Sequence, residues 1–219
     1  MKLSPVFFVC LGCFFIFPTI LGGQSGLLEP RSKIQAKDFS GIKLKTATLE
    51  DYNLGRAVMR RNVVLIIYPG GWNPYGIHGL KMLRNSEQEL NKFEFQTIAV
   101  TPDLSRGIRE TLDKHQLPFV LLSDPEHQVA RILKCLEPLT EDKKHKLKES
   151  GIDLISRTGR IQSEIPRVTF CFIGADGGVH RLWLLEDDTE IPNQEKLIEW
   201  AEAAAVEARV QLFSKDEAE

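Results

Sequence analysis

The stretch YPGGWNPYG, residues 68–76, has the parts of a reactive turn but no obvious reactive atom. It follows the apolar run VVLIIY (63–68) and opens into helix-like sequence. Its backbone amides therefore gather at a helix N-terminus, where unpaired N–H groups and the helix dipole favour negative charge. A cysteine placed there would ionise near neutral pH, yet the turn contains none. Asn73 carries an amide that is no nucleophile at physiological pH, and Gly76 has no side chain.

The chain has four cysteines, and none stands in a CxxC or a zinc-ligand spacing. Cys10 and Cys13 fall in an apolar N-terminal segment; Cys135 and Cys171 fall at positions that read as mid-helix and mid-strand. The latter two read as buried thiols acting as small hydrophobes. The alternative in an oxidising compartment is a bridge, to which the chain-entropy model assigns roughly 3–4 kcal/mol. The five histidines are scattered and form no metal motif, and no cofactor is expected.

The first 23 residues are of different material. Lys2 precedes the apolar stretch VFFVCLGCFFIFPTIL (6–21), and small residues Gly22 and Gly23 follow. That is the pattern of a secretory signal, with the cut expected after Gly23 and a secreted or periplasmic product. Retention as a signal anchor is the alternative, and the only expected route to a membrane. Residues 1–23 hold one Lys and no acid, so their removal takes the formal charge from −2 to about −3. Such a balance gives no electrostatic reason to expect nucleic-acid binding.

After a polar leader at 24–37, the rest of the 219 residues reads as one domain, 38–213, with a polar tail at 214–219. Strands are expected at 63–68, 95–101 and 119–123, alternating with helices over 77–92 and 104–116. A third helix is expected from Asp124-Pro125, carrying Val129, Ile132, Leu133 and Leu136 on one face. A charged helical segment at 140–155 follows, then a hairpin formed by VTFCFIG (168–174) and VHRLWLL (179–185) around ADGG. The closing helix, 193–213, has Asn193 as its cap. Strands separated by helices pair in parallel through right-handed crossovers. The expected fold is α/β, a thioredoxin-like sandwich with a mixed central sheet and helices on both faces.

Several segments in this order resemble the alkyl hydroperoxide reductase/thiol-specific antioxidant (AhpC/TSA) family of peroxiredoxin-like proteins. AKDF (36–39) is similar to that family's Ala-Pro-Asp-Phe, with Lys37 in place of proline. YPGGWNPYG resembles its active-site turn, LLSDPEHQVARIL its Ser-Asp-Pro segment, and PRVTFCFIGADGGV (166–179) its Arg-x-Thr-Phe strand and hairpin. The resemblance implies a peroxidatic cysteine in Pro-x-x-x-Thr-x-x-Cys, with a distant arginine that orients the peroxide. Pro69 stands at the proline and Arg167 at the arginine, while Asn73 replaces the threonine and Gly76 the cysteine. In the register of the related CxxC proteins, Asn73 and Gly76 replace both cysteines. The resemblance therefore implies an antioxidant scaffold whose nucleophile is missing.

The other residues near the turn carry two readings each. His78 reads as a solvated histidine of the helix's first turn, imidazole being a poor attacker of peroxide oxygen. Trp72 and Tyr75 are either a ligand-facing aromatic rim or packing over the first helix. Arg167 either pairs with an acid or orients a ligand, and Pro166 stands where thioredoxin-like proteins carry a cis proline. Together Pro69, Asn73, Gly76 and Arg167 make a candidate pocket for a small anion or a partner protein's side chain. A non-catalytic binding or scaffold protein is the alternative function, and homodimerisation is left open.

Overall fold

The computed structural model describes residues 27–28, 34–185 and 191–216. The signal expected at 1–23 and most of the 24–37 leader lie outside the described residues, as does the end of the tail.

The elements in chain order are β1 (Leu27–Leu28), a 3-10 turn (Ala36–Phe39), β2 (Lys43–Lys45), β3 (Asp51–Asn53), α1 (Leu54–Val58), β4 (Asn62–Ile67), α2 (Pro74–Lys92), β5 (Phe95–Thr101) and α3 (Ser105–His115). There follow β6 (Val120–Ser123), α4 (Gln128–Leu133), β7 (Leu136–Pro138), α5 (Glu141–Glu149), α6 (Leu154–Thr158), β8 (Glu164–Pro166), β9 (Thr169–Ile173), β10 (Val179–Leu184) and α7 (Gln194–Asp216). Eight strands form one mixed sheet in the order β1-β10-β9-β4-β5-β6-β2-β3, and β7 pairs with β8 separately. β4, β5 and β6 are parallel; β9 runs antiparallel to β4, and β10 to β9.

The expected architecture follows from a period-two split of the central strands. Val63, Leu65 and Ile67 face one way with Ile98, Val100, Cys171 and Ile173, under α1, α4 and the 3-10 turn. Val64, Ile66 and Tyr68 face the other way with Ala99, Phe170 and Phe172, under α2, α3 and α7. All six residues of β4 are buried, and after Asn62 its residues 63–67 are a continuous apolar run rather than an alternation. On α2, Leu80, Leu83 and Leu90 are completely buried, as their helical spacing requires. Asn193 caps α7 by accepting the Lys196 N–H at 2.8 Å, and α7 continues to Asp216. Ala36, which falls in the expected 24–37 leader, is buried in the core beside Phe39.

The third helix departs from expectation. It starts at Gln128, after a turn ending at His127 in the left-handed region (φ 57°). The Asp124 carboxylate reaches over that turn to accept the N–H groups of Gln128 and Val129, at 3.0 and 2.9 Å. The helix stops at Lys134, also left-handed at φ 53°. Cys135 therefore lies in the connection to β7, not mid-helix, and Leu136 belongs to a strand. Cys171 is mid-strand, as expected, opposite Leu65.

Candidate functional site

The turn 69–73 emerges at the C-terminal ends of the parallel strands β4 and β5, the end at which open α/β sheets leave a crevice. Asn73 is the N-cap of α2, its side-chain oxygen accepting the Gly76 N–H at 2.7 Å. Pro74 occupies the first helical position and brings no N–H. Two first-turn positions therefore offer no open donor: Pro74 has no N–H, and that of Gly76 is capped from within. In the turn itself the Asn73 N–H donates to the Gly70 carbonyl at 3.0 Å, and the Asp103 carboxylate accepts the Gly71 N–H at 2.7 Å. Asp103 is wholly buried and has Arg157 at 3.5 Å; burial pushes its carboxyl above the usual carboxylate range, against the pull of that N–H and of Arg157.

Gly76 is buried in the first turn of α2. A Cβ added there would stand 2.8 Å from Tyr68 Cβ, 2.9 Å from its Cδ2 and 3.2 Å from its Cγ. These are the root of the tyrosine and its ring edge, fixed by the end of β4. Tyr68 itself is fully buried, and burial drives its hydroxyl far above the ordinary phenol range. The space a side chain at 76 would need is filled by Tyr68.

The other residues singled out in the sequence scatter. Pro69, Trp72 and Asn73 line a cleft of about 180 Å³, closed on its far side by Leu139, Leu147 and the lysines Lys143 and Lys146. Lys143 pairs with Glu137 across this cleft at 2.9 Å. Tyr75 does not share the rim with Trp72 but packs on the α2 core, and His78 is exposed. Arg167 is half-buried, its Nε and Nη2 donating to the Leu185 carbonyl at 3.1 and 3.0 Å. It is not among the residues of the Pro69–Asn73 cleft. Pro166 is buried in β8, and no peptide bond among the described residues is cis.

Cys135 and Cys171 are not joined in a disulfide, and both are buried. They lie in the core on the sheet face opposite α2. Burial pushes the Cys171 thiol far above its usual range, so it does not supply a thiolate near neutral pH. Among the described residues, no group of three or more metal-ligating side chains exists, and no helix is long and apolar enough to cross a membrane.

Comparison with known proteins decides what this scaffold is. The AhpC/TSA family profile matches residues 33–178, well over half of the chain. The chain belongs to the AhpC/TSA family. It is 33% identical over 70 residues to the peroxiredoxin bcp of Haemophilus influenzae, covering 32% of this chain and 45% of that protein. It is 28% identical over 103 residues to peroxiredoxin Bcp of Bacillus subtilis, covering 47% of this chain and 62% of that protein. The matches thus span about half the length of these relatives. The bacterioferritin comigratory protein of Xanthomonas campestris superposes with a TM-score of 0.61 at 14% identity, over 81% of this chain and 99% of that one. At that identity the likeness establishes the thioredoxin-like peroxiredoxin fold.

Within the family register, position 76 is where the peroxidatic cysteine is expected, and it lies under Tyr68. Tyr68 and Asp103 are the site residues that sequence reading misses. Tyr68 looks like the last residue of a strand, and Asp103 lies 32 residues from the Gly71 it holds. Only the order TPD after a parallel strand hints that Asp103 ends at the same edge of the sheet as the turn.

Proposed function

We propose that this AhpC/TSA protein is exported and has no thiol peroxidase activity, and that it acts by binding through the old active-site end of its fold. The observation that carries the reading is the contact between Gly76 and Tyr68. Position 76 has no nucleophile, and the volume a cysteine would need is occupied by a buried ring. Cys135 and Cys171 sit in the core on the other side of the sheet, away from the turn. The cleft of Pro69, Trp72 and Asn73 suits a partner protein's side chain better than a small anion. Its helix terminus is capped by Asn73, and the Gly71 N–H is held by Asp103. Export rests on the signal-like residues 1–23 and places the protein in a secreted or periplasmic setting, or leaves it anchored there.

The test is residue-resolved mass spectrometry of the folded protein after exposure to hydrogen peroxide. Peptides carrying Cys135 and Cys171 should be recovered as unmodified thiols, and oxidised only when peroxide is added in denaturant. Rapid oxidation of either thiol in the folded chain contradicts the reading.

A further inference from the structure

The ridge of Leu139 and Leu147 that closes the Pro69–Asn73 cleft is shared with a second cleft, of about 580 Å³, between α5 and α6. Gly151, at φ +74°, reverses the chain after α5. That reversal returns Ile152 to the last turn of the helix, where its N–H donates to the Leu147 carbonyl at 2.9 Å. Ile152, Ile155 and Ile161 line the second cleft. Ile155 is 56% exposed and Ile161 82%. An apolar surface of this kind, rimmed by charge, marks an interaction site. The two clefts form one groove from the old active-site turn to the loop after α6.

The charge of this groove is one-sided. Around Leu147, α5 brings Lys143 and Lys146 to the first cleft and Lys144 and Lys148 to the second. The acids lining the same clefts are Glu137 and Asp153, and both are engaged. Glu137 is held by Lys143 at 2.9 Å, and the Asp153 carboxylate accepts the Ser156 N–H at 3.1 Å as the cap of α6. Lys144 pairs with Glu141 at 2.7 Å. Lys146 and Lys148 make no ion pair among the described residues, which leaves one uncompensated cation on each cleft.

We propose that the groove docks a segment of a partner protein in which acidic residues adjoin two bulky apolar side chains, one for each cleft. The apolar side chains cover Leu139, Leu147 and the isoleucines, and the acids meet Lys146 and Lys148. Buried apolar anchors supply most of the affinity in such an arrangement, while the charged rim sets encounter rate and partner choice. A second copy of this chain fits less well, because a two-fold pair would set the same lysines against each other. The inference rests on the binding reading above and adds to it the second cleft and the chemistry of the partner.

The test is selection from a phage-displayed library of random short peptides against the immobilised full chain. The selected sequences are expected to join Asp or Glu to two bulky apolar residues. Synthetic copies should bind about tenfold more weakly to Lys146→Glu/Lys148→Glu and about fivefold more weakly to Ile155→Ser/Ile161→Ser. Their affinity should also fall as salt rises. All four positions are exposed, so both variants should keep the wild-type circular dichroism spectrum. Basic or wholly polar sequences, or no selected sequence at all, overturn the proposal. So does a dimer of the natural chain that Ile155→Ser/Ile161→Ser dissociates, which would make the occupant a second copy. Peptides that lose binding in Trp72→Ala but ignore the four exposed changes overturn the groove and leave the reading of the old active-site end standing. Peptides indifferent to Trp72→Ala as well overturn both.

Discussion

Substituting Gly76 with alanine isolates the contact on which the account depends. The new methyl carbon would sit 2.8 Å from Tyr68 Cβ and 2.9 Å from Cδ2, well inside ordinary carbon–carbon contact at about 3.5–4.0 Å. Neither atom is the free end of a side chain, so relief requires the first turn of α2 to lift from the end of β4. Overpacking of a core costs about 1–3 kcal/mol, and alanine recovers up to about 1 kcal/mol of helix propensity over glycine. The net expectation is a loss of about 1–2 kcal/mol. Gly79 is an internal control on the same helix and equally buried. A Cβ there meets Ile66 Cδ1 and Phe170 Cζ, both at 2.9 Å, but these are side-chain ends that can swing aside. Urea unfolding followed by circular dichroism should therefore rank wild type, then Gly79→Ala, then Gly76→Ala in falling midpoint. A Gly76→Ala protein as stable as wild type, or more stable than Gly79→Ala, would refute the reasoning.

Asn73→Ala removes the oxygen that caps Gly76 and should cost about 1 kcal/mol in the same assay, as cap deletions do. Its far-ultraviolet spectrum should be unchanged, because α2 is held chiefly by its buried leucines. Gly76→Cys should be destabilised at least as much as Gly76→Ala and should not acquire peroxide-reducing activity, which a coupled dithiol assay would detect. Asp103 binds its proton more tightly in the folded chain than in the unfolded one, because burial raises its pKa. The folded state then holds more protons just above the usual carboxylate pKa of about 3.9, so stability falls as pH rises through that window. Asp103→Asn should flatten this fall in unfolding free energy measured against pH, and an unchanged slope would contradict the assignment.

The parts of the fold that were legible in the sequence are those where one local signal is enough. β5 matches its run FQTIAVT residue for residue, and the leucines of α2 fall where a helical stripe puts them. The hairpin of β9 and β10 is announced by Asp-Gly between two apolar runs. The start of α4 was not legible, because Asp124 acts as a cap across a left-handed His127 that no periodicity reveals. β2, β3, β7 and β8 have three residues each, too few to show an alternation. Cys135 was misplaced for the same reason as Leu136: a helical pattern was carried past the left-handed Lys134. At the site, the absence of cysteine from residues 68–76 was legible directly. That Tyr68 fills the space beside Gly76, and that Asp103 takes the Gly71 N–H, depends on how α2 and β5 meet the end of β4. Those are tertiary contacts without a sequence signature.

The central claim is that no thiol in this chain does the work of the missing one. Its most direct test is the rate of hydrogen peroxide consumption by the purified protein with excess dithiol, beside a Cys135→Ser/Cys171→Ser double variant. The account predicts that both proteins consume peroxide no faster than the dithiol alone. Turnover by the natural chain that disappears in the double variant would contradict it.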